Sequence, residues 1–229
     1  MRFYTNVQMV GDNFLVRGYE DGKHFAAREK FYPTLFVDSK RKTKYKTLDG
    51  SPVEPIEPGT VRDCREFIKK YNEVENFNVY GNERFIYQYI SDKYPETELK
   101  FDIEQIKLTT IDIEVKSEYG FPDVESCAEE ILLITLQDYT TKQIRTWGLG
   151  AFNNKQENVI YKSFRTEYEL LTDFINWWMI EDNTPEVITG WNSKLYDIPY
   201  LCRRIDRILG EKLKKRMSPW GLVTEEETY

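Results

Sequence analysis

The chain has 229 residues, of which 40% are hydrophobic and 15% aromatic, enough for one large or two ordinary packed cores; this composition excludes an intrinsically disordered protein. Its net charge of -7 speaks against a protein that coats nucleic acid over its whole surface, although it leaves room for local basic patches. No run of about 18 apolar residues occurs and the first residues lack an apolar stretch, so neither a transmembrane helix nor a signal peptide is predicted.

The first forty residues favour β-structure. Apolar, aromatic and β-branched stretches separated by turn residues predict four strands, and Asp21-Gly22 supplies the signal for a tight hairpin turn. The predicted strands are Phe3–Val10, Asn13–Tyr19, His24–Phe31 and Pro33–Val37.

A basic run follows these strands. Its cations are Lys40, Arg41, Lys42, Lys44 and Lys46. Two interpretations stay open: a solvated turn, or a patch that contacts nucleic-acid phosphates with Tyr45 interleaved as a stacking residue.

A loop rich in Pro and Gly then leads to the next predicted helix. Thr60 is the expected N-cap of that helix, which carries apolar residues on one face. Phe85–Ile90 is predicted to be another strand, closed by Tyr94-Pro95. We therefore expect residues 1–105 to form a β-rich, mixed α+β N-terminal domain.

The order of elements changes after residue 105. Four strands are predicted, over Lys107–Val115, Ile131–Tyr139, Gln143–Gly148 and Val159–Tyr161. Thr166 and Glu169 have the spacing of a capping box that opens a helix, Val187–Gly190 is a short strand, and Asp197 begins a second helix. This order is typical of an α/β layered domain, here a mixed sheet flanked by helices over residues 106–229.

The segment Ile111–Val115 carries two acids inside a β-branched stretch. Because successive strand side chains point to opposite faces, Asp112 and Glu114 should project together. Two neighbouring carboxylates repel each other unless a cation neutralises them, so the pair is a candidate metal site. The conventional interpretation is a half-exposed strand with acids on its polar face, and Asp102–Glu104 repeats the same three residue types ten residues earlier.

The remaining residue types narrow the kind of metal site. The three cysteines are far apart without a CxxC motif, and each is most simply a small buried hydrophobic residue in a reduced protein. His24 is the only histidine, which excludes histidine-rich zinc sites. Any metal would be held by oxygen ligands, which favours magnesium, calcium or manganese.

A second group of polar residues lies before the last predicted helix. Asn192 follows a short strand, and Asp197 stands at the start of the helix. Each also has a conventional interpretation, Asn192 as a turn former and Asp197 as an N-cap or first-turn acid.

Taken together, these residues resemble the exonuclease motifs of family B DNA polymerases of the T4-like phage type. Asp112 and Glu114 match the first motif, Asp-x-Glu on a central strand. Asn192 and Tyr196-Asp197 match the second motif. Gly120–Asp123 resembles the loop whose Phe, here Phe121, sits against the terminal base of the primer, and Tyr89–Asp92 resembles the N-terminal part of that branch.

The resemblance implies an RNase H-like 3′→5′ exonuclease that works with two Mg²⁺ or Mn²⁺ ions about 4 Å apart. Asp112 would hold both ions, Glu114 would orient the ion that activates water, and Asp197 would anchor the second ion. Phe121, Asn192 and Tyr196 would contact the substrate. It places Asp102–Glu104 in the segment that leads into the domain.

One part of the family pattern is missing. The third motif, a Tyr followed four positions later by a metal-binding Asp, does not occur after Asp197. We therefore expect a chain that ends inside the exonuclease domain, binds metal weakly, and cleaves slowly or not at all, with the polymerase domain elsewhere in the parent protein.

The resemblance also implies partners and a location. Partners are the single-stranded 3′ end of a primer, template DNA and replisome proteins, in the cytoplasm of an infected bacterial host. The alternative function is a non-catalytic module that binds nucleic acid or a protein partner and retains a degenerate nuclease fold. A third hypothesis is a self-contained nuclease of another family with Asp206 as the third acid.

Overall fold

The computed structural model describes residues 1–81, 83–95, 100–118 and 120–224. The chain folds into two compact units, Met1–Gln105 and a second unit that begins at Ile106. Each unit is described by itself.

The first unit opens with an antiparallel three-stranded sheet. Its strands are β1 (Arg2–Val10), β2 (Asn13–Glu20) and β3 (Lys23–Lys30), with β2 in the centre. The central strand β2 is buried on both faces. Aromatic side chains pack against it, as Phe31 and Tyr89 do against Phe14, and β1 and β3 cover its edges. The three predicted strands are confirmed.

A second small sheet completes the β-structure of this unit. Its strands are β4 (Leu35–Asp38), β5 (Tyr45–Lys46), β6 (Pro52–Ile56) and β7 (Val79–Tyr80), in the order β5-β6-β4-β7. The predicted strand over Pro33–Val37 is confirmed as β4. The basic run from Lys40 to Lys46 spans the β4–β5 connection and β5 itself, and all five cations are exposed.

Two helices accompany these sheets. Thr60 caps α1 (Val61–Tyr71): its hydroxyl accepts the Asp63 N–H, and the Asp63 carboxylate accepts the Thr60 N–H at 2.8 Å. The second helix, α2 (Phe85–Lys93), replaces the predicted strand over Phe85–Ile90, so that prediction is wrong. Phe85 and Tyr89 are four positions apart and both fully buried. Residues at this spacing lie on the same side of a helix and also on the same side of a strand, so the spacing alone does not distinguish the two.

The second unit is built on a mixed five-stranded sheet. Its strands are β8 (Leu108–Val115), β9 (Ile131–Asp138), β10 (Ile144–Leu149), β11 (Val159–Phe164) and β12 (Val187–Thr189). The order is β11-β10-β9-β8-β12, where β9 runs antiparallel to both neighbours, and β11 and β12 run parallel to β10 and β8. The expected α+β class with a mixed sheet is confirmed.

Helices cover one face of this sheet. They are α3 (Glu167–Trp178) and α4 (Asp197–Leu209), followed by the short α5 (Glu211–Lys214). Leu170, Phe174 and Trp178 of α3 are fully buried in a core that also takes up the apolar face of β8. Only half of the predicted capping box forms. The Thr166 hydroxyl accepts the Glu169 N–H, but the Glu169 carboxylate accepts the N–H of Arg165.

Three smaller points bear on the sequence-based expectations. Ile103–Gln105 forms a 3₁₀ turn, so the Asp102–Glu104 tripeptide does not lie on a strand. Cys64, Cys127 and Cys202 are buried and form no disulfide bond. Among the residues that the structure describes, no helix is both long and apolar enough to cross a membrane.

Candidate active site

Two carboxylates project from the same face of β8. Asp112 and Glu114 are exposed, whereas Ile111 and Ile113 are buried in the core beneath the helices. This alternation confirms that the two acids project together. They stand on the face of the sheet opposite to the apolar core.

The edge of β8 next to these acids is left open by a short neighbouring strand. Among the described strands, β12 pairs with β8 only as far as Thr189 and Thr110. At Gly190 the chain passes so close to β8 that a Cβ atom would lie 2.5 Å from the carbonyl oxygen of Ile111, so glycine is required. Asn192 then adopts a left-handed φ of 58°, which asparagine tolerates better than most residues, and the chain turns away.

Asp197 brings the chain back to this open edge. It is the first residue of α4 and only 4% exposed, and its Oδ1 accepts the backbone N–H of Ile113 at 3.0 Å. A buried N–H beyond the end of β12 is thereby satisfied. Asp197 is a first-turn acid, but the N-cap interpretation is wrong: Tyr196 holds that position, and the carboxylate bonds to a strand.

The electrostatics of the site are dominated by the burial of one carboxyl group, that of Asp197. Burial raises the pKa of Asp197, the charge of Asp112 raises it further, and the N–H of Ile113 opposes this increase. Burial also raises the pKa of Tyr196, with a further increase from the charge of Asp197. The charge that Asp112 and Asp197 place near each other is the kind that a bound cation compensates.

An open cleft of about 580 Å³ joins these side chains. Its lining residues are Asp112, Ile113, Phe121, Trp191, Asn192, Tyr196 and Asp197. The cleft brings together five residues that the sequence singled out, although they are separated by as many as 85 positions (197 minus 112).

One side of the cleft is an aromatic wall. The ring of Phe121 is 81% exposed and lies 4.7 Å, centroid to centroid, from the ring of Tyr196. Trp191 is 96% exposed, which is unusual for so large an apolar side chain. The sequence did not single out Trp191 as a site residue, since tryptophan most often belongs to a core; only its position next to Asn192 was a signal.

Other predicted residues lie elsewhere. Glu114 shares the face of Asp112 but does not line the cleft. Asp206 does not line the cleft and pairs with Lys214. The Lys40–Lys46 run belongs to the first unit.

The donor atoms suit a hard divalent cation. Asp112 and Asp197 offer carboxylate oxygens from two elements, and Glu114 adds a third carboxylate on the same strand, whereas sulfur and imidazole ligands do not line the cleft. Within the described ranges, however, no group of three His, Cys, Asp or Glu side chains is close enough to hold a metal by itself. The chemistry of the ligands therefore fits, and the remaining coordination would fall to water or substrate oxygens.

Replacing Asp197 with asparagine is expected to stabilise the chain near neutral pH when divalent cations are removed. Asparagine keeps an oxygen that can accept the Ile113 N–H, and it removes a charge that burial disfavours. Because the folded pKa of Asp197 is raised, its contribution to stability is complete below the ordinary carboxyl pKa of 3.8 and is lost as the pH rises through the raised value. Urea unfolding in EDTA should show the advantage of D197N shrinking as the pH falls.

The alanine variant separates the charge from the hydrogen bond. D197A removes the acceptor altogether, so it should be less stable than D197N by about 1–3 kcal/mol, the usual cost of a buried donor without a partner. Equal stability of D197A and D197N at every pH would contradict the bond between Asp197 and Ile113.

Comparison with known proteins places this cleft in a family context. Residues 60–228 match the profile described as DNA polymerase family B, exonuclease domain. The chain is 30% identical to the DNA-directed DNA polymerase of Enterobacteria phage T4 over 96% of its own length, and 30% identical to that of Escherichia phage RB69 over 95%. It spans 27% of the length of either phage protein. The DNA polymerase catalytic subunit of Human herpesvirus 6A is 35% identical over 52% of this chain and 12% of its own length.

Proposed function

The chain belongs to DNA polymerase family B through the exonuclease domain of that family, and on this premise we propose that it carries the proofreading site of a phage-type replicative polymerase. The observation that supports the proposal best is the cleft in which Asp112 and Asp197, from two elements, face an aromatic wall. Templated DNA synthesis is proposed for the remainder of a longer protein, because the chain spans only 27% of its phage relatives.

The proposed reaction is hydrolysis of the last phosphodiester bond of a single DNA strand, from the 3′ end. The oxygen of a water molecule forms a bond to phosphorus and loses a proton, while the bond between phosphorus and the 3′ oxygen of the preceding nucleotide breaks. The terminal nucleotide leaves as a 5′-monophosphate, and the strand keeps a free 3′ hydroxyl group.

Three carboxylates would hold the cations of this reaction. We assign Asp112, Glu114 and Asp197 to two ions, Mg²⁺ or Mn²⁺, because all three stand on β8 or bond to it. When bound, such ions neutralise phosphate charge and lower the pKa of the attacking water. Asp197 is held in place by the Ile113 N–H before any ligand arrives, so its orientation does not depend on the substrate.

The aromatic wall would bind the unpaired terminal base. Phe121, Trp191 and Tyr196 present rings to the cleft, and stacking on such rings tolerates every base, as an editing site requires. Asn192, which lines the same cleft, would contact the sugar or phosphate.

Partners and location follow from the same proposal. The primer 3′ end and the template strand are the proposed DNA partners, and replisome proteins would be met through the longer polymerase in the cytoplasm of an infected bacterium. Lys40, Arg41, Lys42, Lys44 and Lys46, all exposed, are proposed phosphate contacts of the first unit.

Replacing Phe121 with alanine is expected to weaken binding of a single-stranded oligonucleotide by about 5–100-fold, the range that one lost stacking contact covers. The probe is a strand with 2-aminopurine at its 3′ terminus and a hydrolysis-resistant last linkage, titrated with the chain in Mg²⁺ and read by fluorescence. F152A is the matched control, because Phe152 is also exposed in the second unit but does not line the cleft. Equal affinities of F121A and F152A would exclude the cleft as the binding site of the 3′ end.

One observation favours the non-catalytic alternative: no three-ligand metal group forms among the described residues. On that hypothesis, single strands would bind in EDTA as tightly as in Mg²⁺, and removal of Asp112 and Glu114 would not change their affinity. On the nuclease hypothesis, affinity for the 3′ end should fall in EDTA.

A further inference from the structure

The loop between β8 and β9 lies against α4 along a row of hydrogen bonds. It covers residues 116–130, of which all but residue 119 are described. Side chains of α4 donate to five of its backbone carbonyl oxygens, those of Val124, Ser126, Cys127, Ala128 and Glu129. A loop without a strand partner thus has its acceptors satisfied by one helix.

Three arginines supply most of these bonds, and we call Arg203, Arg204 and Arg207 the arginine clamp. Arg203 donates to the carbonyl of Val124 at 2.8 Å. Arg204 donates to Cys127 at 2.9 Å and to the following residue at 3.1 Å. Arg207 donates to the carbonyls of Ser126 and Cys127, at 3.1 and 3.2 Å.

The clamp holds a backbone conformation that the loop would not adopt readily by itself. Cys127 has a φ of 40°, a left-handed value that costs free energy in a residue with a Cβ atom. Its carbonyl oxygen is the one that accepts from both Arg204 and Arg207. The strained residue is therefore the most strongly held point of the loop.

The same loop carries the exposed ring of the cleft. Phe121 precedes Pro122, whose ring restricts φ, and Asp123 begins the turn that the clamp holds. The carboxylate of Asp123 accepts the Ser126 N–H at 2.7 Å, and its carbonyl accepts the Cys127 N–H at 3.0 Å. Little backbone freedom is left between the clamped turn and the ring.

The helix that bears the clamp also bears Asp197 at its first residue. Helix α4 therefore bears one side of the cleft, the carboxylate of Asp197. Through its bonds to the loop, the same helix also supports the other side, the ring of Phe121. We propose that the arginine clamp is a positioning device that sets the ring of Phe121 relative to Asp197, so that the cleft accepts an unpaired 3′-terminal nucleotide. This inference rests on the proposed function of the cleft.

All three guanidinium groups donate to protein carbonyls, and two of them also form ion pairs. Arg204 is 6% exposed and bonds to Glu167 as well as to the loop. Arg203 forms an ion pair with Glu125 at 2.9 Å in addition to its bond to Val124. These residues act on the 3′ end through Phe121, which makes them positioning residues.

The test removes two clamp residues and leaves the buried pair of Arg204 intact. R203Q/R207Q should weaken binding of the strand with 3′-terminal 2-aminopurine by about 5-fold or more, as expected when stacking is lost. The control K212Q/K215Q loses the same charge from the segment after α4 and should change affinity less than R203Q/R207Q does. The dependence of affinity on salt should keep its slope, because no phosphate contact is removed.

A double-mutant cycle with Phe121 decides the result. In the F121A background, R203Q/R207Q should cause no additional loss, since the clamp acts through the ring. Additive losses, or a salt slope that falls by about 1.4 for two lost phosphate contacts, would overturn the positioning role.

If F121A itself leaves binding unchanged, the proposed function of the cleft fails. If F121A weakens binding and R203Q/R207Q does not, only the positioning role of the clamp fails. Should the double variant unfold, R207Q, whose side chain is exposed, undergoes the same cycle.

Discussion

Replacing Asp112 and Glu114 together with alanine is expected to slow Mg²⁺-dependent removal of 3′ nucleotides by at least about 10³-fold, because charge stabilisation by the held cations is the main source of rate in this chemistry. Both side chains are exposed, so stability should change by less than about 0.5 kcal/mol. Shortening of a 5′-labelled single strand measures the effect. The assay is run with this chain and with the longest protein that its gene encodes, since the phage relatives are longer.

The chain contains its own matched control for that experiment. Asp102-Ile103-Glu104 has the same three residues as Asp112-Ile113-Glu114, but it lies at the start of a 3₁₀ turn (Ile103–Gln105) of the first unit. On the proposed function, D102A/E104A should therefore shorten the labelled strand as fast as the unmodified protein does. Undiminished activity in D112A/E114A would remove the basis of the proposed function.

Replacing Glu167 with alanine is expected to destabilise the second unit by about 3–5 kcal/mol, the cost of leaving a buried charge without its partner. Glu167 and Arg204 are 5% and 6% exposed and meet through two parallel bonds of 2.6 Å. Glu167 also accepts the Ile131 N–H at 2.9 Å, so one carboxylate joins α3, α4 and the start of β9. Urea unfolding followed by tryptophan fluorescence measures the loss.

Glu169, two residues further along the same helix, provides the comparison. It is exposed and accepts one backbone N–H from Arg165, so E169A should cost no more than about 1 kcal/mol. A loss in E167A no larger than that in E169A would show that the buried pair does not hold the helices together.

The elements with strong periodicity were predictable from the sequence. The alternation of Ile111 and Ile113 with acids identified β8, and Thr60 and Thr166 marked the starts of α1 and α3 through their capping side chains. Phe85–Ile90 was misread because a six-residue aromatic segment satisfies both periods. In the fold, Phe85 and Tyr89 are buried together against β2 of the first sheet, and this packing favours a helix over a strand.

The candidate site was predictable only in part. The resemblance to a family predicts Asp112, Glu114, Asp197 and Phe121 as site residues. It did not predict the bond from Ile113 to Asp197, which depends on the early end of β12, or the exposure of Trp191. The roles of Glu167 and the arginine clamp likewise have no local signal, because their partners lie 36 to 81 positions away along the chain.

The two-carboxylate face of β8 follows from the order of residues alone, since a strand repeats every two residues whatever surrounds it. The expectation that any bound metal would take oxygen ligands has the same origin, because the chain has one histidine and no CxxC motif. Folding then selects which acids share a cleft, which ring stands beside them and which helix holds both. Those outcomes depend on which backbone groups the fold leaves without a strand partner. A buried N–H or carbonyl group must be hydrogen-bonded, and only the tertiary structure determines which distant donor or acceptor lies within reach.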